Sequence, residues 1–390
     1  MLNIKTDPSA YRRRILLAVT GLSPQIVTET LYALAVEPMP GFIPTEIHLL
    51  TTIDGKKIAC DALLRQEGGQ FHALLADYPV LGNPAFGEQN IHIIKKTDGT
   101  SLPDIRTPEE NAAAADVITA LMAELTRDEQ AALHVSIAGG RKTMGFYLGY
   151  AFSLYARPQD RLSHVLVSQL FESHPKFYFP PATPCQLITR DNKYIDTADA
   201  KITLADIPVV RLRHGLPKPL LNGQTGYNES VTALQESFAP PRLEIRLVER
   251  KAYCGRRKLD LTPVSLAWLA YWAKKVLEGN ALQSKANFVP EDFLKLYHKL
   301  LGKTSGAYEM TQRRLSSDEE DRGRFFDENN SRLDRALKDQ LGVAAAPYLL
   351  TRVVERKFIT GQGKERQAFD SYKVIRRGLS LPTDAIMLEE

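Results

Sequence analysis

Ser136-Ile137-Ala138-Gly139-Gly140-Arg141-Lys142-Thr143-Met144 sits where two patterns meet in this chain of 390 residues. An apolar run, Leu133–Ile137, stops at the glycine pair, and an amphipathic run with Met144, Leu148, Ala151 and Tyr155 begins beyond it. That pattern predicts a strand, a tight turn and a helix. Such a switch leaves the first helical N–H groups without partners, aimed above the sheet. Arg141 and Lys142 add two cations at that point, so the turn is suited to hold phosphate. A plain turn with two solvated cations is the competing reading.

The residues upstream repeat the pattern. Ile15–Val19 predicts a strand, and Gln25–Ala35 a helix with Val27, Leu31 and Leu34 on one face. Glu46–Leu50 predicts a second strand, Lys57–Arg65 the start of a helix, and Ile91–Ile94 a third strand. Thr107-Pro108-Glu109-Glu110 is a helix start, with Thr as cap, Pro in the first turn and acids on the positive end. That helix runs to about Leu125, and His164–Val167 predicts the strand after the Gly-Gly helix. Repeated βα units give an α/β fold, a Rossmann-like, mostly parallel sheet with helices on both faces. Ligands in such sheets collect above the carboxyl ends of the strands.

The turn after the first strand, Thr20-Gly21-Leu22-Ser23-Pro24-Gln25, is the second candidate loop. It has a Gly turn, two hydroxyls and a helix N-terminus, although Ser23 also reads as a plain N-cap. It lacks the G-x-G-x-x-G of a dinucleotide site and the Walker pattern of a P-loop, which argues against NAD and ordinary NTP hydrolysis. If this loop and Gly139–Met144 lie over neighbouring strand ends, they form one cationic pocket. Thr51-Thr52, Asp104-Ile105-Arg106-Thr107 and Lys176 could line it, or serve structure alone.

The first domain is expected to span residues 1–215, with a β-rich appendage at 181–215 (Gln186–Thr189, Lys201–Leu204, Val209–Leu212). Residues 216–241, rich in Pro, Gly and Asn, read as a linker. Residues 242–390 form the second domain. It is expected to open with a strand at Leu243–Val248 and a turn at Cys254-Gly255. A helix starts at Thr262-Pro263, with Leu266, Leu269, Ala270, Ala273, Val276 and Leu277 in helical period. Pro290–Leu301 is a further helix, Arg313–Arg324 a charged loop, and Ser331–Leu341 a helix with Leu333, Ala336, Leu337 and Leu341 inward. Arg332, Arg335 and Lys338 form a basic stripe on it. Tyr348–Val354 and Ser371–Ile375 read as strands joined through Gly361-Gln362-Gly363-Lys364. Helices followed by a hairpin make a mainly helical, winged-helix-like domain.

The formal net charge of +4 is unevenly spread: residues 241–390 hold 28 Lys and Arg against 21 Asp and Glu, leaving 22 against 25 elsewhere. A basic C-terminal third points to a polyanion or to a solvated basic surface. The three cysteines are far apart, without Cys-x-x-Cys or zinc spacing, so no metal is expected and a reducing, cytoplasmic compartment fits. Arg12-Arg13-Arg14 before Ile15–Val19 superficially resembles a signal peptide, but the apolar run is short and breaks at Thr20-Gly21. No segment approaches transmembrane length, and no membrane partner is expected.

Three segments taken together, Leu16–Thr30, Asp104-Ile105-Arg106-Thr107-Pro108-Glu109 and Ser136–Met144, resemble CRISPR-associated Rossmann-fold (CARF) proteins, and among them the CRISPR ring nucleases. The resemblance covers roughly residues 10–180. It implies a homodimer that binds cyclic oligoadenylate, the second messenger of type III CRISPR antiviral defence, and a hydrolase that needs no cofactor. On that reading Ser23 and Lys142 are the catalytic candidates, Ser23 orienting the ribose 2′-OH and Lys142 stabilising the phosphorane. Thr20, Gly21, Leu22, Gln25, Thr52, Arg106, Gly139, Gly140, Arg141, Thr143 and Met144 are the ligand-binding candidates, with Thr20, Gln25 and Thr52 at the adenine edges. None of the eight histidines falls in either motif, so no general base is assigned. Many CARF proteins carry a ribonuclease domain with an Arg-x4–6-His motif. The last histidine here is His298, and positions 292–294 are Asp, Phe and Leu, which excludes it. Asp318–Asp321 reads as a solvated acidic run. Leu259–Pro263 with Ser331-Arg332-Leu333 resembles winged-helix transcription regulators, with Arg332, Arg335 and Lys338 as candidates for double-stranded DNA. Three functions stay open: a ring nuclease for tetra- or hexa-adenylate, a messenger-gated DNA-binding regulator that leaves the ring intact, and a C-terminal domain that serves only dimerisation or partner docking.

Overall fold

The computed structural model describes residues 6–36, 41–172, 174–213, 216–221, 226–236, 239–302, 305–358 and 371–390. It divides into two units, Met1–His214 with Pro219–Val231, and Gly215–Lys218 with Thr232–Glu390.

In the first unit the strands are β1 (Arg13–Val19), β2 (Glu46–Thr51), β3 (Ile91–Ile93), β4 (Ala131–Ser136), β5 (Arg161–Val167), β6 (Gln186–Ile188), β7 (Tyr194–Asp196) and β8 (Ile202–Asp206). Its helices are α1 (Gln25–Ala35), α2 (Ile53–Ala59), α3 (Gln70–Asp77), α4 (Pro108–Leu125), α5 (Lys142–Tyr155) and α6 (Lys218–Leu221); α7 (Tyr227–Glu236) begins in it. The six-stranded sheet has the order β3-β2-β1-β4-β5-β8. Its first five strands are parallel, and β8 closes the edge antiparallel to β5, with Leu204 opposite Val165. Ile15 to Val19 are fully buried, the continuous apolar run that a central parallel strand requires. Strand order reverses at β1: Ala18 pairs with Leu49 on one side and Ser136 on the other. A reversal of this kind opens a crevice outside the carboxyl ends of the two strands. The capping box expected at α4 is present, Thr107 accepting from Glu110 N at 3.2 Å and Glu110 Oε2 from Thr107 N at 3.1 Å.

Several expectations are corrected. The helix expected at Lys57 starts at Ile53, because Thr52 caps it by accepting from Gly55 N at 3.3 Å. Lys201–Leu204 does not belong to an appendage; Ile202–Asp206 is the sixth strand of the sheet. Val209–Leu212 forms no strand. Arg211 and Leu212 are tied instead to Arg157, Asp160 and Ser153 around the end of α5. The appendage is the hairpin β6–β7 alone. The expected linker 216–241 carries α6 and α7. Tyr227 packs on Tyr147 and Tyr150 of α5 at 4.9 and 5.3 Å, and its N–H donates to Asp116 at 2.7 Å.

The second unit contains β9 (Leu243–Arg246), β10 (Lys251–Cys254), β11 (Arg257–Lys258), α8 (Pro263–Leu277), α9 (Pro290–Leu301), α10 (Gly306–Leu315), α11 (Glu319–Leu341), β12 (Leu350–Phe358), β13 (Ser371–Leu379) and β14 (Ile386–Glu389). One sheet runs β11-β10-β9-β14, and β12–β13 is a separate antiparallel hairpin whose expected turn, Gly361–Lys364, lies outside the described residues. The charged loop expected at Arg313–Arg324 is helical apart from a short break. Asp318 caps α11 by accepting from Asp321 N at 2.8 Å, and three acids fill its first turn. Ser331–Leu341 is therefore the second half of a 23-residue helix. At the centre of the unit, Trp268 and Trp272 both donate their indole N–H to Asn330 Oδ1, at 2.9 and 3.1 Å, and all three side chains are buried.

Candidate functional site

Three strand-to-helix turns, after β1, β2 and β4, meet above the sheet. A Cβ on Gly21 would lie 3.8 Å from Gly140 Cα, so the turns after β1 and β4 touch through glycine. A Cβ on Gly139 would lie 2.4 Å from the Val19 carbonyl oxygen, and one on Gly55 only 2.5 Å from that of Gly21. Gly140 turns the chain at φ 79°, a conformation that side chains disfavour. The Gly-Gly pair is thus needed both for closeness and for the turn. Met144, buried, fills the space beneath Gly140.

The hydroxyls divide into two kinds. Thr20 is fully buried and donates to the Ser23 carbonyl at 2.7 Å, while Thr52 is nearly so and caps α2. Both hydroxyls hold the turns, Thr20 as a donor and Thr52 as an acceptor. Ser23 is exposed and its side chain has no partner among the described residues. Leu22 stands out beside it, 64% exposed, and Thr143 is exposed on the first turn of α5. Gln25 is half-buried, but its Oε1 is shut from solvent with no hydrogen-bond partner.

The two cations of the second turn also differ. Arg141 grips Asp104, with Nε to Oδ1 at 3.1 Å and Nη2 to Oδ2. Arg106 Nε reaches the same carboxylate at 3.0 Å. Hydrogen bonds from Arg141 and then Arg106 hold the Asp104 carboxyl well below its usual range, so it stays ionised. The Arg-Asp-Arg bridge pins the 104–107 turn against the start of α5 and carries one net positive charge. Lys142, the first residue of α5, is exposed and pairs with no acid among the described residues. It is the available cation at a helix N-terminus whose N–H groups face the same way. The arrangement can bind a phosphodiester and stabilise added negative charge on it.

Sequence reasoning missed two acids. Asp104 was read for its place before a helix, not for its charge. Glu29, on the second turn of α1, is 6% exposed, and burial with the nearby charge of Glu172 pushes its carboxyl up to about 8. The available signal was an acid four residues after Gln25 in an otherwise buried helical run.

The three C-terminal candidates, Arg332, Arg335 and Lys338, are exposed on α11, where Arg332 pairs with Glu328 at 3.6 Å. No described helix is long and apolar enough to cross a membrane.

The model of the CRISPR-associated protein NE0113 family matches residues 23–240, more than half of the chain and, apart from Thr20, Gly21 and Leu22, all of the site described above. The chain belongs to the CRISPR-associated NE0113 family. No curated protein matches it. Among solved structures, Enterococcus italicus Csm6 bound to cyclic hexa-2′-fluoro-hexa-dAMP is similar over 84% of this chain, at 14% identity and a TM-score of 0.24. A type III CRISPR defence DNA nuclease activated by cyclic oligoadenylate is similar over 90%, at 16% identity and the same TM-score. This NE0113-family chain spans 57% and 37% of the length of those two chains.

Proposed function

We propose that this NE0113-family protein is a CARF-type ring nuclease of type III CRISPR antiviral defence. It binds cyclic oligoadenylate as a homodimer and opens the ring without a metal, which switches the signal off. The observation that carries the reading is the unpaired Lys142 at the N-terminus of α5, beside the exposed Ser23 turn, at the reversal point of the sheet. A symmetric dimer would present two such half-sites to a ring of phosphates. A ribose 2′-oxygen attacks its own 3′ phosphorus, the P–O5′ bond breaks, and the 2′-OH proton passes to solvent while the 5′ oxygen gains one. The chain needs only to enforce in-line geometry and stabilise the phosphorane charge. Ser23 orients the 2′-OH in this scheme, and Lys142 meets the charge.

Incubating the purified protein with cyclic tetra- and hexa-adenylate in EDTA, followed by mass spectrometry, tests it. Linear products ending in 2′,3′-cyclic phosphate are expected from one ring or both. Tight binding with the ring intact would leave a messenger-gated regulator, and no binding would sink both readings.

The regulator reading has its own observation. Arg335 and Lys338 are exposed on α11 without an acid partner among the described residues. If the C-terminal, winged-helix-like unit binds duplex DNA through that stripe, retention on random duplex should fall steeply with salt, and Arg335→Ala with Lys338→Ala should flatten the slope by about two phosphate contacts. A salt-independent elution identical to the double variant would assign the unit to dimerisation or docking instead.

A further inference from the structure

A cavity of about 910 Å³ opens in the second unit, lined only by residues of that unit. Small-molecule sites fall between about 300 and 1,000 Å³, so it is large enough for an organic ligand. It lies among the starts of β9 and β14, the β10–β11 turn and the end of α11. Its floor is apolar. Leu243, Leu341 and Ile386 line it and are buried, as are Cys254 and Tyr348. The Tyr348 hydroxyl is already engaged, donating to the Arg242 carbonyl at 3.1 Å and accepting from the Arg242 N–H at 3.0 Å. Burial pushes the Cys254 thiol up, so it stays protonated and is no nucleophile at neutral pH. No histidine stands among the described residues of the lining. The cavity has the chemistry to bind and not to react.

The rim is cationic. Arg242, Arg256 and Arg257 all line it. The backbone holds them together: Gly255 turns at φ 60° and its N–H donates to the Arg242 carbonyl at 2.7 Å, while Arg257 pairs with Cys254 across the same turn. Arg242 and Arg256 are exposed, and their side chains have no partner among the described residues. Arg257 gives one nitrogen to the Gln340 carbonyl at 3.0 Å. Two acids share the lining. Glu244 is held by Arg246 at 2.6 Å, which leaves Asp384 as the unengaged carboxylate there, against three guanidinium groups.

Positive charge above an apolar floor selects a ligand with an anionic head and an apolar body. One guanidinium fork is enough for a carboxylate. Three around one mouth match a phosphate monoester, which carries close to two charges and three accepting oxygens. We propose that this cavity binds an organic phosphate monoester, its phosphate held by Arg242, Arg256 and Arg257 and its apolar body by Leu243, Leu341 and Ile386. The site belongs to the second unit and stands independently of the ring reading.

Calorimetric titration of the full chain with naphthyl phosphate, adenosine monophosphate, inorganic phosphate and decanoate tests it, in the wild type, in Arg242→Ala with Arg256→Ala, and in Lys142→Ala. At least one of the two organic phosphates should bind about tenfold or more tighter than inorganic phosphate, because only they cover the apolar floor. The double arginine variant should lose about tenfold or more of that affinity, through missing charge-assisted hydrogen bonds. It should melt with the wild type, since both side chains are exposed and unpaired, so the loss would not come from misfolding. Lys142→Ala should bind as the wild type does. Affinity lost in Lys142→Ala but kept in the arginine variant would place the ligand above the six-stranded sheet and overturn the proposal. Inorganic phosphate binding as tightly as the organic phosphates would overturn it by reducing the cavity to an anion patch. Decanoate binding best would overturn it in favour of a carboxylate. If neither organic phosphate binds, the proposal falls outright.

Discussion

Lys142→Ala should slow ring opening by about 10²–10³-fold in single-turnover measurements, the usual loss when one positioned stabiliser of a developing anion is removed. The size of the effect follows from what surrounds the residue. Arg141 cannot take over, because its guanidinium is already spent on Asp104, which Arg106 also contacts. The helix N-terminus remains in the variant, but its partial charge is about half that of an ammonium. Affinity should fall less than rate if Lys142 meets the phosphorane more strongly than the ground-state diester. Lys142→Arg should recover part of the rate, since the charge is kept while a planar fork replaces a compact ammonium. An unchanged single-turnover rate in Lys142→Ala would show that the transition-state charge is met elsewhere.

Asn330→Leu should destabilise the second unit by about 2–5 kcal/mol, through two indole N–H groups left bare at about 1–3 kcal/mol each. Asn330 Oδ1 serves both Trp268 and Trp272, while its own Nδ2 is buried without a partner. The substitution therefore relieves one unpaired donor and creates two. In a unit of about this size the loss lowers the melting midpoint by about 5–15 °C, readable by circular dichroism. Asn330→Asp keeps the acceptor for both indoles but buries a charge, so it should be less damaging at low pH than at neutral pH. An unshifted midpoint for Asn330→Leu would mean that the aromatic packing around Trp268 carries the unit without its polar centre.

Much of the fold was legible because parallel-sheet chemistry writes itself locally. Buried strands such as Ile15–Val19 read as continuous apolar runs, and Thr107-Pro108 and Thr262-Pro263 mark helix starts by caps alone. What escaped were long-range pairings and charge compensation. Nothing within Ile202–Asp206 says that it joins β5 rather than its neighbours β6 and β7, since the pairing is decided by a partner some forty positions away. Arg313–Arg324 looked like a loop because it has few apolar residues, yet from Glu319 onward the Asp318 cap, the acidic first turn and the Arg324–Asp321 pair at 2.8 Å hold it helical. At the site, the glycine turns and the place of Lys142 at a helix start were legible from the strand-to-helix pattern. The commitment of Thr20 and Thr52 to the turns, the capture of Arg141 by Asp104 and the isolation of Glu29 depend on neighbours in space, which no local window contains.

The aromatic centre of the second unit has a practical consequence for following the molecule by light. The chain has two tryptophans in all, and both sit there, sharing one amide oxygen. Intrinsic emission excited at the indole band is therefore a signal from residues 268 and 272 alone, blind to direct contact with anything bound above the six-stranded sheet. A nucleotide ring added to the protein would have to act across the chain to move that emission. A fluorimeter titration set beside an independent binding measurement thus separates occupancy of the first unit from any change it causes at residues 268 and 272, with no label attached.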